Sequence, residues 1–172
     1  MEYLIKLSKK RDADAFVQLM QEQMQSLYKT ARAFLHSDED VADAVQETIL
    51  TCWEKLPGLR DNRYFRTWVM RILVNKCNDI LRVKKRYVYD EEIPELPIND
   101  TGYVNLEWNE LLEVLDEKHK SVVILYYAEG FKTSEIGEIL GIPESTVRNR
   151  LARARKKLEK DYFLELKRRK SV

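Results

Sequence analysis

The stretch from residue 131 to residue 158 constrains the fold most, because it has the pattern of two helices joined by a glycine turn. Apolar residues at spacing i, i+3, i+4 mark one face of the first helix, and the second helix has an apolar face at i, i+4, i+7, i+11. These residues are Ile136, Ile139 and Leu140, then Val147, Leu151, Ala154 and Leu158. The two helices are therefore predicted to bury one shared seam, as a helix-turn-helix.

The residues around the turn have defined conformational roles. Gly141 is expected to take the left-handed conformation that ends a helix, and Pro143 suits the first turn of the next helix. Gly137 is expected to let the two helices approach closely. Thr133 or Ser134 is the expected N-cap, but no glutamate follows either one three residues later. A full capping box is therefore not expected.

The second helix carries polar and basic residues opposite its apolar seam. That face consists of Ser145, Asn149, Ala152, Arg153 and Lys156, and it is flanked by Arg148, Arg150, Arg155 and Lys157. Arginine can bond a guanine edge with two donors, asparagine can do the same to adenine, and the flanking cations reach phosphates. The pattern predicts a reader of duplex DNA with contacts among Ser145, Thr146, Arg148, Asn149, Arg150, Arg153 and Lys156.

A charge run alone favours a different interpretation, the solvated basic face of a bundle helix. The paired apolar seams and the glycine turn reverse that preference. Charge is also segregated along the chain, although the net charge is only +1. Residues 60–86 carry nine cations against two carboxylates, residues 90–117 carry only carboxylates, and cations dominate again from Arg148. A basic, acidic, basic order suggests separate parts with separate partners.

The rest of the chain predicts an all-α protein of two small domains. Asp12 or Asp14 is expected to start a helix whose apolar stripe includes Met24 and Tyr28. Ser37 or Asp38 is expected to start a second helix. A third starts at Phe65. Residues 1–86 are predicted to form a domain of three to four helices, and residues 87–104 a flexible acidic linker. Residues 105–172 are predicted to form the second domain, with helices at 106–117 and 120–128 supporting the helix-turn-helix.

Catalytic and metal chemistry have no evident residues. Cys52 and Cys77 lack CxxC spacing, His36 and His119 are isolated, and no constellation of nucleophile, base and oxyanion donors appears. We expect core thiols, no metal, no cofactor and no enzyme activity. No charged-then-apolar leader opens the chain, and the longest apolar run has seven residues, 122–128. We therefore expect a soluble, cytoplasmic protein that is not inserted in a membrane.

The chain has three distinctive segments, residues 40–53, 65–82 and 126–158, in this order and with the acidic connector between the second and third. Together they resemble the bacterial sigma factors of the extracytoplasmic-function group. Residues 40–53 are similar to the region 2.2 helix, which docks on the clamp of core RNA polymerase. Residues 65–82 are similar to regions 2.3 and 2.4, which open and hold the minus-10 promoter element, and residues 126–158 to region 4, which reads the minus-35 element. The resemblance implies core polymerase and promoter DNA as partners, and an anti-sigma factor that is membrane-anchored in some cases.

The resemblance also assigns residues. The expected polymerase contacts form a polar ridge, Asp40, Asp43, Gln46 and Glu47, although a solvated helix face has the same composition. The expected minus-10 contacts are Asn62, Arg63, Tyr64, Asn75, Asn78, Asp79 and Arg82, with the loop at 56–63 forming a pocket for an unstacked base. Trp68, Tyr64 and Phe65 are ambiguous between stacking and core roles. The linker either mimics nucleic acid in a basic polymerase channel or is a solvated spacer.

Two other functions fit parts of the sequence. A free-standing regulator would use the same helix-turn-helix as a dimer on two half-sites, but it leaves the first eighty residues unexplained. A helical adaptor that binds proteins through its charged faces leaves the cations at 148–157 without a role.

Overall fold

A computed structural model describes residues 1–88 and 112–170, and every regular element in those residues is helical. The all-α prediction is confirmed. The chain divides into two compact units, Met1–Ile98 and Asn99–Val172. The predicted linker at 87–104 lies outside the described residues except at 87–88, where the preceding helix continues. The boundaries at 86 and 105 remain predictions.

The first unit contains four α-helices and two 3-10 turns among its described residues. The elements are α1 (Glu2–Lys9), α2 (Ala13–Phe34), α3 (Asp38–Lys55), the turns Leu56–Gly58 and Asn62–Tyr64, and α4 (Phe65–Val88). The sequence pattern had not located α1, because its eight residues are shorter than a periodic signal needs. It contributes Leu4 and Ile5 to the core. The core of this unit also includes Leu19, Leu27, Val41, Ala44, Leu73 and both cysteines.

The predicted helix starts in this unit agree with the observed caps. The Asp12 carboxylate accepts a hydrogen bond from the Ala15 backbone N–H (3.0 Å), and the Ser37 hydroxyl accepts one from Asp40 N–H (3.4 Å). The apolar stripe of α2 is narrower than expected, since Met24 is 38% exposed and Tyr28 46%. Both side chains lie at the edge of the stripe, on the side of the helix that faces solvent.

Arg11 joins the ends of three helices. It adopts a left-handed backbone conformation (φ 69°) between α1 and α2, and its guanidinium donates to the carbonyl oxygens of Trp53 (2.5 Å) and Glu54 (3.4 Å). The guanidinium carbon also lies 5.2 Å from the centre of the Trp53 ring. Because the last carbonyls of a helix have no partner within it, Arg11 caps α3 at the point where the loop to α4 begins.

The second unit contains α5 (Glu117–Val123), which continues as a π-helical turn (Ile124–Ala128), then α6 (Thr133–Leu140) and α7 (Glu144–Lys170). Five residues of the predicted seam are fully buried, namely Ile136, Ile139, Val147, Leu151 and Ala154. Leu140 and Leu158 are half-buried. Gly141 has φ 66° and ψ 35°, as its turn role requires, and Ile142 N–H bonds to the Gly137 carbonyl (3.0 Å).

Two local predictions for this unit were wrong. Lys132, rather than Thr133 or Ser134, is the N-cap of α6, and the Glu135 carboxylate accepts from its backbone N–H at 2.8 Å. The glutamate half of a capping box is therefore present, one residue earlier than expected. The predicted break between helices at 117–120 is also misplaced. Asp116 is the N-cap, its carboxylate accepting from His119 N–H (3.0 Å), so Glu117 belongs to α5.

Gly137→Ala tests the close approach of α6 to α7. A Cβ at residue 137 would lie 2.8 Å from the Ile142 carbonyl oxygen, which is backbone and has no rotamer to change. We expect destabilisation of the helix-turn-helix by about 1–3 kcal/mol, measured by hydrogen exchange of the α6 and α7 amides. Gly58→Ala is the control, because its Cβ would meet nothing within 4 Å. Equal protection of α6 in both variants would contradict the packing role.

Candidate nucleic-acid and polymerase interfaces

The polar face of α7 points to solvent as the periodicity predicts. Ser145, Asn149, Arg153 and Lys156 are exposed, and the buried seam lies on the opposite side of the helix. Thr146 and Arg150 are half-buried at the edges of this face. Within the described residues, no side-chain hydrogen bond or ion pair engages Asn149 or Arg153. Their donors therefore face solvent, an arrangement that suits base edges in a major groove.

The residues that flank this face are bonded to their own domain. The Glu144 carboxylate accepts from the Thr133 hydroxyl (2.6 Å) and the Arg148 guanidinium (2.7 Å) through the same oxygen, and these bonds lower the pKa of Glu144. Arg155 Nε donates to the Tyr127 hydroxyl at 2.7 Å. Glu144 links the start of α6 to the start of α7, so this contact orients both Arg148 and the amino end of α7.

A further contact attaches α7 to the start of α5. Lys157 Nζ lies 3.4 Å from one carboxylate oxygen of Asp116, and His119 Nδ1 lies 2.6 Å from the other. The hydrogen bonds from His119 lower the pKa of Asp116 to about 2. The expectation that Arg155 and Lys157 reach phosphates is therefore modified, because the structure directs both side chains to α5 and the π-helical turn that extends it.

One face of α4 forms an exposed polar stripe. Arg71, Asn75, Asn78 and Arg82 follow at i, i+4, i+7, i+11, and all four are exposed. The opposite side of α4 is buried. A helix rises about 1.5 Å per residue, so the stripe is about 16 Å long, enough to track several nucleotides of a single strand. Arg71 had not been selected from the sequence, although its spacing to Asn75 and Asn78 was a usable signal.

Asp79 and Arg82 form an ion pair at the carboxyl-terminal end of this stripe, with 3.4 Å between Arg82 Nη1 and Asp79 Oδ1. Asp79 therefore lies next to the other predicted minus-10 residues of α4. Its negative charge favours a role in orienting Arg82 over direct contact with a phosphate.

The turn before α4 brings Asn62, Arg63 and Tyr64 beside α1. The Asp61 carboxylate accepts from the Arg63 backbone N–H (2.9 Å) and pairs with its guanidinium (2.7 Å), which lowers the pKa of Asp61. A cavity of about 590 Å³ opens here. It is lined by Met1, Glu2, Ile5, Lys9, Arg60, Asp61, Asn62 and Arg63. Its volume and polar wall suit an unstacked base.

The three ambiguous aromatic residues are separated by burial. Phe65 is 1% exposed and belongs to the core, while Trp68 is half-buried with its ring centre 6.2 Å from that of Phe65. Tyr64 is 50% exposed, beside the cavity-lining Arg63. Of these three aromatic residues, Tyr64 is therefore the one most available for stacking on a base.

The polar ridge of α3 is partly paired with α4. Asp43 and Gln46 are exposed, whereas the Asp40 side chain is 17% exposed and forms an ion pair with Lys84. Glu47 pairs with Lys76 at 3.4 Å. Two of the four predicted polymerase contacts are thus paired with lysines of α4, the helix that also carries the exposed polar stripe.

The cysteines are buried in the first unit, and burial raises the pKa of both Cys52 and Cys77 to about 12. Such thiols are unreactive packing residues. In the described part of the chain, no helix is both long and apolar enough to cross a bilayer.

Comparison with known proteins identifies the family to which the chain is similar. The family description "Sigma-70 region 2" matches residues 19–87, and "Sigma-70, region 4" matches residues 106–158. The chain is 32% identical to the RNA polymerase sigma factor SigV of Bacillus subtilis, over 77% of this chain and 81% of that one. It is 31% identical to the sigma factor NccH of Alcaligenes xylosoxydans xylosoxydans, over 91% of each chain. The ECF RNA polymerase sigma factor SigW of Bacillus subtilis is 28% identical over 91% of this chain and 93% of its own.

Solved structures agree. CnrH in complex with the cytosolic domain of CnrY matches with a TM-score of 0.70 at 26% identity, covering 94% of this chain and 96% of CnrH. The sigma factor RpoE of Bartonella quintana, in complex with the anti-sigma factor NepR, shares the fold with a TM-score of 0.71 at 24% identity, covering 83% and 95%.

The region 2 match in the first unit, the region 4 match in the second and relatives more than 30% identical over most of the chain show a sigma-70 type RNA polymerase specificity subunit. Within that class, the chain belongs to the extracytoplasmic-function group. It directs RNA polymerase to specific promoters.

Asp116 variants test the α5 cap. Asp116→Ala should destabilise the second unit by about 0.5–2 kcal/mol at pH 7, because it removes an N-cap. The native pKa of Asp116 is depressed to about 2 from 3.8, so the charge contributes stability above pH 4 that is lost as the pH falls toward 2. The difference from wild type should therefore shrink over that range, as measured by hydrogen exchange of the α5 amides. Asp116→Asn, which keeps a capping acceptor, is the control. A difference that does not change with pH would rule out the charged contribution.

Proposed function

We propose that this sigma factor contacts its promoter with two helix faces, α7 on the minus-35 duplex and α4 with its preceding turn on the minus-10 strand. The observation that carries this proposal is the pair of exposed polar stripes, each backed by a buried seam and each in its own compact unit. The corresponding domains are 1–86 and 105–172, joined by residues 87–104.

At the minus-35 element, Asn149 and Arg153 face the base edges. Both are exposed at the centre of the α7 face, and their side chains suit adenine and guanine respectively. Phosphate and sugar contacts come from the surrounding members, Ser145, Thr146, Arg148, Arg150 and Lys156. The Glu144 contact holds Arg148 against the amino end of α7, so this cation is already oriented before DNA arrives.

At the minus-10 element, Arg71 and Arg82 bind the strand backbone while Asn75 and Asn78 lie between them on the same face. An unpaired base enters the cavity beside Asn62 and Arg63, and Tyr64 stacks on a neighbouring base. Catching unstacked bases in this way stabilises the open duplex, because each captured base offsets part of the cost of unpairing.

Core polymerase binds the α3 ridge, through Asp40, Asp43, Gln46 and Glu47. Cations of a large partner suit this surface. They would compete for Asp40 and Glu47 with Lys84 and Lys76, so docking transfers carboxylates from α4 to the polymerase and leaves those lysines free for nucleic acid. A surface pair such as Glu47–Lys76 contributes about 0.2–1 kcal/mol, so exchanging its carboxylate costs little.

Polymerisation belongs to the partner, so the protein needs no catalytic site of its own. It acts in the cytoplasm. Two structural relatives were solved in complexes, one with the anti-sigma factor NepR and one with the cytosolic domain of CnrY. An anti-sigma factor of the same kind, soluble or membrane-anchored, is a further expected partner.

Asn149→Ala and Arg153→Ala should each weaken minus-35 discrimination by about 1–3 kcal/mol, because each removes a base-edge contact. Competition between promoter variants for polymerase carrying the mutant factor measures this. Lys156→Ala is the comparison, with uniform weakening across sequences and a salt dependence reduced by about one phosphate contact. A uniform loss in the first two variants would assign them to phosphates instead.

Gln46→Ala combined with Glu47→Ala should reduce the affinity for core polymerase, since the pair removes half of the ridge. Titration of labelled full-length protein with core measures the dissociation constant. Gln18→Ala combined with Glu22→Ala is a matched control, as both residues are exposed on α2 and have the same chemistry. Equal effects of the two double variants would show that the α3 ridge is ordinary solvated surface.

A further inference from the structure

The cavity at the minus-10 turn has one wall that lies outside the segment matched by region 2. Met1, Ile5 and Lys9 line it at intervals of four residues, so they share one face of the amino-terminal helix. The region 2 match begins only at residue 19. The opposite wall is residues 60–63. Two segments about fifty residues apart therefore build the pocket, and Lys9 bonds one directly to the other.

Lys9 holds this turn by two short hydrogen bonds. Its ammonium donates to the Leu59 carbonyl oxygen at 2.6 Å and to Asn62 Oδ1 at 2.5 Å. Both contacts are partly buried, and a charged donor makes each stronger than a neutral bond. Lys9 thus fixes both the backbone at Leu59, just before the turn, and the Asn62 side chain that lines the cavity.

The contact determines how Asn62 presents its amide. An ammonium only donates, so the amide must turn its oxygen toward Lys9, leaving the NH₂ group as its polar end for a ligand. A second donor approaching that oxygen would come beside the positive charge of Lys9, which disfavours it.

This orientation matters for adenine in particular. Asparagine recognises adenine by a two-bond contact in which the oxygen accepts from N6 and the NH₂ group donates to N7. With the oxygen held by Lys9, the accepting half of that contact is disfavoured. A donor-only amide can bond a carbonyl oxygen of thymine, cytosine or guanine, whereas adenine offers it only ring nitrogens and cannot bring its N6 amine into the contact.

We propose that Lys9 is a positioning residue that makes Asn62 a hydrogen-bond donor in the minus-10 pocket, so that a captured base with a carbonyl oxygen is preferred and adenine is disfavoured. This inference rests on the proposed role of the pocket in binding an unpaired base. It adds a specificity element that lies in α1, far from the DNA-contacting residues in sequence.

The test uses full-length protein with core polymerase and a promoter set in which each minus-10 position carries each of the four bases. Transcript yield from every promoter is measured for wild type and for Lys9→Met. At one position, wild type should use adenine least. Lys9→Met frees the Asn62 oxygen, so the yield with adenine relative to the other bases should rise by about tenfold at that position only. Lys10→Met removes the same charge from a neighbouring exposed residue and should change nothing.

Two variants check the orientation of the amide itself. Lys9→Arg keeps the donors and should retain the wild-type preference. Asn62→Asp replaces the donor with an acceptor of the same shape, so it should shift preference toward the bases with an exocyclic amine, adenine, cytosine and guanine, and away from thymine. This variant also keeps a partner for Lys9, so it tests the proposal even if Lys9→Met loosens the turn.

The outcomes separate this inference from the function beneath it. If Asn62→Ala leaves base preference unchanged at every minus-10 position, the pocket does not read a base and the proposed function of this turn fails. If Asn62→Ala alters one position while Lys9→Met and Asn62→Asp leave it unchanged, only the role of Lys9 and the amide orientation is overturned. A uniform loss over all bases in Lys9→Met, with wild-type preference in Asn62→Asp, overturns it as well.

Discussion

Burial of one apolar face on each helix decides which side chains this sigma factor offers to its partners. Buried residues run from Phe65 to Cys77 in α4 and from Val147 to Ala154 in α7, so the opposite side of each helix is held toward solvent over those turns. A polar stripe on a helix with no fixed packing would have no fixed orientation. Here the hydrophobic seam orients the stripe, and the free energy that folds the domain also positions the nucleic-acid contacts.

Ion pairs and polar bonds between elements then adjust those faces. In the first unit, Asp40 and Glu47 of α3 pair with Lys84 and Lys76 of α4, so the proposed polymerase surface and the proposed strand-binding helix share charges. In the second unit, Glu144 orients Arg148, while Tyr127 and Asp116 engage Arg155 and Lys157. Cations that look equivalent along the sequence are therefore divided into those that hold the domain together and those that are available to DNA. Each exposed pair contributes little to stability, so its effect is mainly on orientation.

Periodicity was a sufficient guide wherever a feature depends on residues within one or two turns of a helix. The helix-turn-helix, its left-handed Gly141, the caps at Asp12 and Ser37 and the exposed face of α7 all belong to this class. Predictions were wrong where the local signal lay one to three residues from its expected position, as with the N-cap of α6 at Lys132 and the N-cap of α5 at Asp116. A glutamate three residues after any N-cap bonds back to it through a backbone N–H that every residue except proline has, so the pattern does not require serine or threonine at the cap.

The sequence by itself determined the helices, their apolar seams, the order of the three motifs and the resemblance that identified the family, because these depend on spacing along the chain. Only the tertiary structure showed that α1 exists as a wall of the minus-10 cavity, that Lys9 bonds to Asn62 and that Arg11 caps α3. These contacts join residues 42 to 53 positions apart. No periodic pattern relates such residues, since their meeting depends on how the helices pack against one another, and packing is decided by the whole core together.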